Sequence, residues 1–151
     1  MTRKEIAMEY FAEGYNCAQA VALAFSDLLP MEKDALARLT SSFGGGMGRL
    51  REVCGAVSGM FAAAGLLYGY DDPKASTEKA AHYARLQAMA KEFEHKNGSI
   101  VCRELLGLSV KHDAPTPEAR TDTYYKKRPC KELVGCAAEI LEKYLEDNPV
   151  G

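Results

Sequence analysis

Glu52-Val53-Cys54-Gly55-Ala56-Val57-Ser58-Gly59 opens the most apolar segment of the chain. From Cys54 to about Tyr68, Ala, Leu and Met dominate and few polar residues fall on any face, which predicts a buried, central helix. Gly59 and Gly65 sit in its interior, where each costs about 1 kcal/mol against alanine. Close approach of a neighbouring helix is the plain explanation for both. Gly55 lies in the first turn and matters less. Gly44-Gly45-Gly46-Met47-Gly48 forms a loop just upstream.

Helical periodicity extends outward in both directions. Residues 3–12 carry Ile6, Tyr10 and Phe11 on one stripe, and Gly14 ends that helix. Asn16 is an N-cap for a helix over 17–29, which Pro30 stops. Residues 31–43 make a third helix. Asp71-Asp72-Pro73 is turn chemistry, followed by a long helix over 75–96 that Asn97-Gly98-Ser99 breaks. Ser99 caps a short helix over 100–106. Residues 108–122 form a polar connection, and Pro129 stands at the start of a final helix over 130–146. No strand and no fixed-period repeat is evident. The expected fold is all-α, a single-domain bundle of about six helices spanning residues 1–151.

Composition narrows the function classes. Hydrophobic residues make up 47% and charged residues 26% of the 151, and the net charge is −2, as in an ordinary globular domain. That balance excludes nucleic acid as a partner. Lys126-Lys127-Arg128 reads as a solvated face. No segment has the length and apolarity of a membrane span, and the N-terminal residues lack a secretory h-region, so a cytoplasmic location is expected. In that compartment thiols stay reduced, and five cysteines read as metal ligands or redox groups before structural bridges.

Cys17, Cys54, Cys102 and Cys130 each fall in the first turn of an expected helix, after Asn16, the glycine loop, Ser99 and Pro129. Free N–H groups and the positive end of the helix dipole favour a thiolate there, and the thiolate is both nucleophile and metal ligand. Cys136 lies inside a helix and reads as a packed thiol.

These residues carry a resemblance. Cys54-Gly55-Ala56-Val57-Ser58-Gly59 is similar to the CGAxxG motif of the C_GCAxxG_C_C family, small bacterial and archaeal proteins described as redox-active. Gly14-Tyr15-Asn16-Cys17-Ala18-Gln19-Ala20-Val21, the glycine loop, residues 97–107 and Cys130 extend the resemblance over nearly the whole chain. It implies that Cys17, Cys54, Cys102 and Cys130 are the family's four cysteines, that Cys136 is extra, and that the role is redox or metal-linked.

Two chemistries remain open. The thiols could cycle between dithiol and disulfide, or pass electrons, although no CxxC is present. Alternatively, Cys17, Cys54, Cys102 and Cys130 could bind one centre, an iron–sulfur cluster or zinc, zinc making the protein structural or a carrier. Redox thiols or a redox-active metal centre are preferred over structural zinc. Gly45, Gly46 and Gly48 are candidates to cradle a cofactor or anion with backbone N–H groups, yet no P-loop or Rossmann pattern is present. Arg49 and Arg51 could hold a thiolate or anion, with a surface role expected. Among His82, His95 and His112, His95 is the candidate if a histidine joins the site. Partners expected are a redox partner protein and a homodimer, the latter through the Met- and Ala-rich faces of residues 56–68 and 86–93.

Overall fold

The computed structural model describes residues 1–109 and 112–150. Helix α1, Arg3–Ala12, starts on a reciprocal pair of bonds between Thr2 and Glu5 and ends at Gly14, whose φ of +114° only glycine adopts without cost. Helix α2, Cys17–Leu23, has the same device: the Asn16 side chain accepts from the Gln19 N–H at 2.9 Å, and the Gln19 side chain accepts from the Asn16 N–H at 3.0 Å.

The expected 17–29 helix is shorter than its hydrophobic pattern. Phe25 leaves helical geometry and a single 3-10 turn, Ser26–Leu28, takes over. Leu29 is extended, the conformation that a following proline imposes. Helix α3 is Lys33–Ser41, α4 is Gly55–Tyr68 and α5 is Ser76–Asn97. Helix α6 is a single turn, Cys102–Leu105, without a side-chain cap. Ser99 instead closes a local turn, accepting from the Val101 N–H at 2.9 Å and donating to Glu104 at 2.6 Å. The expected polar connection contains residues 110–111, which lie outside the described residues, and it runs into a further helix, α7, Asp122–Lys127, capped by Thr121. Helix α8 is Cys130–Asp147. The described residues therefore hold eight right-handed helices rather than about six.

The glycine segment is not a simple loop. Gly45, Gly46, Met47, Gly48 and Arg49 all have positive φ, from 62° to 71°, and Arg51 follows at 59°. This is a left-handed turn, which costs roughly 1–2 kcal/mol at each non-glycine position. Backbone bonds hold it: Arg51 N–H to the Gly45 carbonyl at 3.2 Å and Glu52 N–H to the Gly46 carbonyl at 3.0 Å. The turn delivers Val53 into an isolated antiparallel bridge with Val101. One bridge is too short to show as alternation in sequence.

Helix α4 packs chiefly on α2, and α8 packs chiefly on α1. Phe11, Val21, Phe25, Met60, Met89, Phe93 and Leu141 fill the core. The apolar residues offered above for a partner subunit, Met60 and Met89, are thus covered by this chain itself. Helix α4 is enclosed along its first half, while Phe61 and residues 65–68 are only half-buried; α2 is the more completely enclosed helix. The α2–α4 contact explains one interior glycine and not the other. A Cβ on Gly59 would lie 2.4 Å from the Ala18 carbonyl oxygen, whereas one on Gly65 meets nothing within 4 Å. Gly55, expected to matter little, is also tight: its Cβ would lie 3.1 Å from the Cys17 Cβ. Gly65→Ala is therefore expected to stabilise the protein by about 0.5–1 kcal/mol, read as a rise in melting temperature.

Candidate functional site

Cys17, Cys54, Cys102 and Cys130 line one cavity of about 490 Å³. They arrive from four different elements. Cys17 and Cys130 are the first residues of α2 and α8, placed by Asn16 and by Pro129. Cys54 is the N-cap of α4 rather than a residue of its first turn. Cys102 opens α6. The bridge joins the last two: the Cys54 N–H donates to the Ile100 carbonyl at 2.7 Å, and the Cys102 N–H donates to the Glu52 carbonyl at 2.6 Å. Gly46 backs this pair, since a Cβ there would come within 2.6 Å of the Cys102 Cβ. Cys136 is half-buried on α8, accepts from the Asn97 side chain at 3.4 Å, and lines no part of the cavity.

Of the four helix-start cysteines only Cys130 has a lowered pKa, and side-chain neighbours rather than its helix start lower it. Cys130 is lowered to about 7, first by the neighbouring Cys17 thiol and then, against burial, by Arg128, Arg120 and Tyr124. Cys17 moves the opposite way, well above the ordinary range, because Cys130 beside it favours the protonated form and burial adds to that. Burial pushes Cys54 up to about 12, outweighing the N–H groups of Ala56 and Val57. Cys102 is also raised by burial, although the Arg51 guanidinium opposes the shift. At Cys54 and Cys102, 4% and 6% exposed, desolvation outweighs the groups that favour the thiolate, Arg51 beside Cys102 included.

Cationic side chains surround the thiols. Arg51, expected at the surface, is 3% exposed, donates to the Cys102 sulfur at 3.6 Å and pairs with Asp113 at 2.9 Å. Arg49 shares the same carboxylate at 3.3 Å and donates to the Ala114 carbonyl at 2.6 Å. Arg120 donates to the carbonyls of Phe11 at 2.7 Å and Tyr15 at 2.8 Å and stacks 4.0 Å over the Phe11 ring. Arg128 pairs with Glu118. Asp113, Arg120, Tyr124 and Arg128 escaped the sequence reading. Arg128 carries a signal, two residues before Cys130, although its run with Lys126 and Lys127 reads as a solvated face. Arg120 carried none, because its partners lie more than a hundred residues away in the chain.

The other sequence candidates fare differently. Gly45, Gly46 and Gly48 do line the cavity, but the N–H groups from Met47 to Glu52, Gly48 included, donate to backbone carbonyls of the turn. None of the three histidines lines the cavity: His82 is buried beside Arg85, and His95 and His112 are exposed. A Cys₄ centre has the right donor chemistry, but among the described residues no three His, Cys, Asp or Glu side chains are grouped to hold one ion. Nor is any described helix long and apolar enough to cross a membrane.

No solved structure matches the chain. A protein of Archaeoglobus fulgidus described as "Uncharacterized protein" is 26% identical over 153 residues, covering 96% of this chain and 94% of that relative. The family described as "Putative redox-active protein (C_GCAxxG_C_C)" matches residues 15–144, a span that holds all five cysteines, the left-handed turn and the bridge. The chain belongs to the C_GCAxxG_C_C family.

Proposed function

We propose that the protein is a dithiol/disulfide redox protein in which Cys130 is the attacking thiolate and Cys17 the resolving thiol. The opposed shifts of these two thiols, which line one cavity, carry the reading: one sulfur is favoured as thiolate while its neighbour keeps the proton. An exchanging pair needs that asymmetry, since attack takes a thiolate and resolution takes a second thiol within reach. The two cysteines stand at the starts of packed helices, so a bond between them closes a long stretch of chain without a CxxC. Cys54 and Cys102, protonated near neutral pH, are slower thiols on the same wall. The missing oxidant and the returning electrons come from disulfide and dithiol partners, a redox partner protein among them.

The experiment is a thiol count. Reduced protein treated with a mild disulfide oxidant at neutral pH is expected to lose two thiols per chain, leaving Cys54, Cys102 and Cys136 alkylatable. The reading fails if the count does not change in a step of two. A second reading, a Cys₄ metal centre, is favoured by four thiols sharing one cavity, and binding a single ion would require them to close upon it. Elemental analysis decides that point: stoichiometric zinc or iron that shields all four thiols from alkylation would replace the dithiol account.

A further inference from the structure

The cavity walls carry more positive charge than the thiols can use. Arg49, Arg51, Arg120 and Arg128 all line it, and Glu118 is the one carboxylate among the lining residues. Asp113 stands behind Arg49 and Arg51 and serves both. Glu118 serves Arg128. Arg120 has no carboxylate partner among the described residues and is held by two backbone carbonyls and an aromatic face. Four guanidiniums thus face two carboxylates. Stabilising one thiolate at Cys130 answers one of the two remaining charges, which leaves a positive wall in a chain whose net charge is −2. A volume of about 490 Å³ is far larger than a dithiol pair needs and lies within the range of small-molecule sites.

We propose that this cavity binds a small acidic disulfide, a low-molecular-weight compound carrying carboxylate or similar anionic groups beside its S–S bond, and presents it to Cys130. The proposal rests on the dithiol reading above and adds the substrate class. Guanidinium groups bind carboxylates through paired N–H donors, a geometry that fixes orientation as well as charge. With the anionic ends on the arginines, the S–S bond lies over the cysteine pair. The Cys130 thiolate attacks one substrate sulfur; the substrate S–S bond breaks, a mixed disulfide forms, and the first small thiolate leaves and takes a proton from water. Cys17 then gives up its proton and attacks the Cys130 sulfur. The second small thiol leaves and a Cys17–Cys130 disulfide remains. The substrate gains two electrons, the protein loses two, and a dithiol reductant returns them.

The test uses the reduced full-length chain and three symmetrical disulfides of similar size: 3,3′-dithiodipropionate, which is dianionic, 2-hydroxyethyl disulfide, which is neutral, and cystamine, which is dicationic. Each single-turnover rate of thiol release is divided by the rate of neutral dithiothreitol with the same disulfide, which removes intrinsic reactivity. The expected order is anionic, then neutral, then cationic, with about tenfold or more between the ends at low salt, shrinking as screening rises. Arg128→Gln and Arg120→Gln are expected to compress that ratio severalfold, and because the readout is a ratio, a general loss of thiol reactivity does not imitate it. The wild-type comparison stands even if Arg120→Gln misfolds. Equal normalised rates, or a preference for cystamine, would overturn the acidic-substrate proposal and leave the Cys17–Cys130 pair standing. Failure of the folded chain to reduce any of the three would overturn both.

Discussion

A Cys130→Ser variant loses the one cavity thiol that reacts readily at neutral pH. In the wild-type protein, Cys130 at about 7 is half ionised at that pH, whereas a thiol at the ordinary 9.0 is about one per cent ionised, a gain of about fifty-fold in thiolate. Nucleophilicity falls with pKa and returns about tenfold of that, so Cys130 should alkylate about fivefold faster than an unfolded control. The rate should climb as pH rises through about 7 and level off above it, because a lowered thiol is fully ionised earlier. In Cys130→Ser that plateau is absent and the residual rate keeps rising toward alkaline pH, since burial shifts Cys54 and Cys102 upward and still raises Cys17 once Cys130 is gone. Cys17→Ala removes the largest influence holding Cys130 down, so the midpoint of its profile should move up toward the ordinary value. Alkylation followed by peptide mass spectrometry across a pH series reads all three. A profile unchanged by Cys17→Ala would mean that the arginines and Tyr124 set the Cys130 thiolate without Cys17.

The largest stability effect is expected at Gly59. A Cβ there meets the Ala18 carbonyl oxygen at 2.4 Å and the Ala18 Cα at 2.9 Å. These are backbone atoms of α2, which cannot move aside as a flexible side chain would. Overpacking commonly costs 1–3 kcal/mol, and Gly59→Val, with its branched side chain against backbone, should reach about 3 kcal/mol or more. For a domain of this length that corresponds to a fall of about 6–12 °C in melting temperature. Calorimetry checks it, with Gly65→Ala as the variant of opposite sign. Because Ala18 adjoins Cys17, the same substitution should displace the Cys17 thiol, so the proposed Cys17–Cys130 oxidation should slow in whatever fraction remains folded.

Both expectations show what could be read from the chain beforehand. The helix starts at Cys17 and Cys130 were legible because their signals are local: the Asn16–Gln19 pair and Pro129 lie within three residues of the positions they fix. The gathering of four cysteines was legible from those starts together with the family resemblance. Their electrostatics were not, because dipole and burial act in opposite directions at each site and only tertiary neighbours decide the sign. Cys130 has Cys17, Arg128 and Arg120 beside it; Cys54 has only buried surroundings and two N–H groups. The left-handed turn was half legible. Its glycines marked an unusual backbone, but Met47, Arg49 and Arg51 share the positive φ, which no side-chain preference announces. The Val53–Val101 bridge joins segments nearly fifty residues apart, and a single pair leaves no periodicity.

The central claim is that Cys17 and Cys130 form the working pair. The measurement closest to it is disulfide mapping: mild oxidation of the reduced chain at neutral pH, alkylation of remaining thiols, proteolysis and mass spectrometry of linked peptides. A Cys17–Cys130 linkage is expected as the first and major product, with Cys54, Cys102 and Cys136 recovered alkylated. A first product joining Cys54 to Cys102, or any bridge that includes Cys136 while Cys17 and Cys130 stay free, would contradict it.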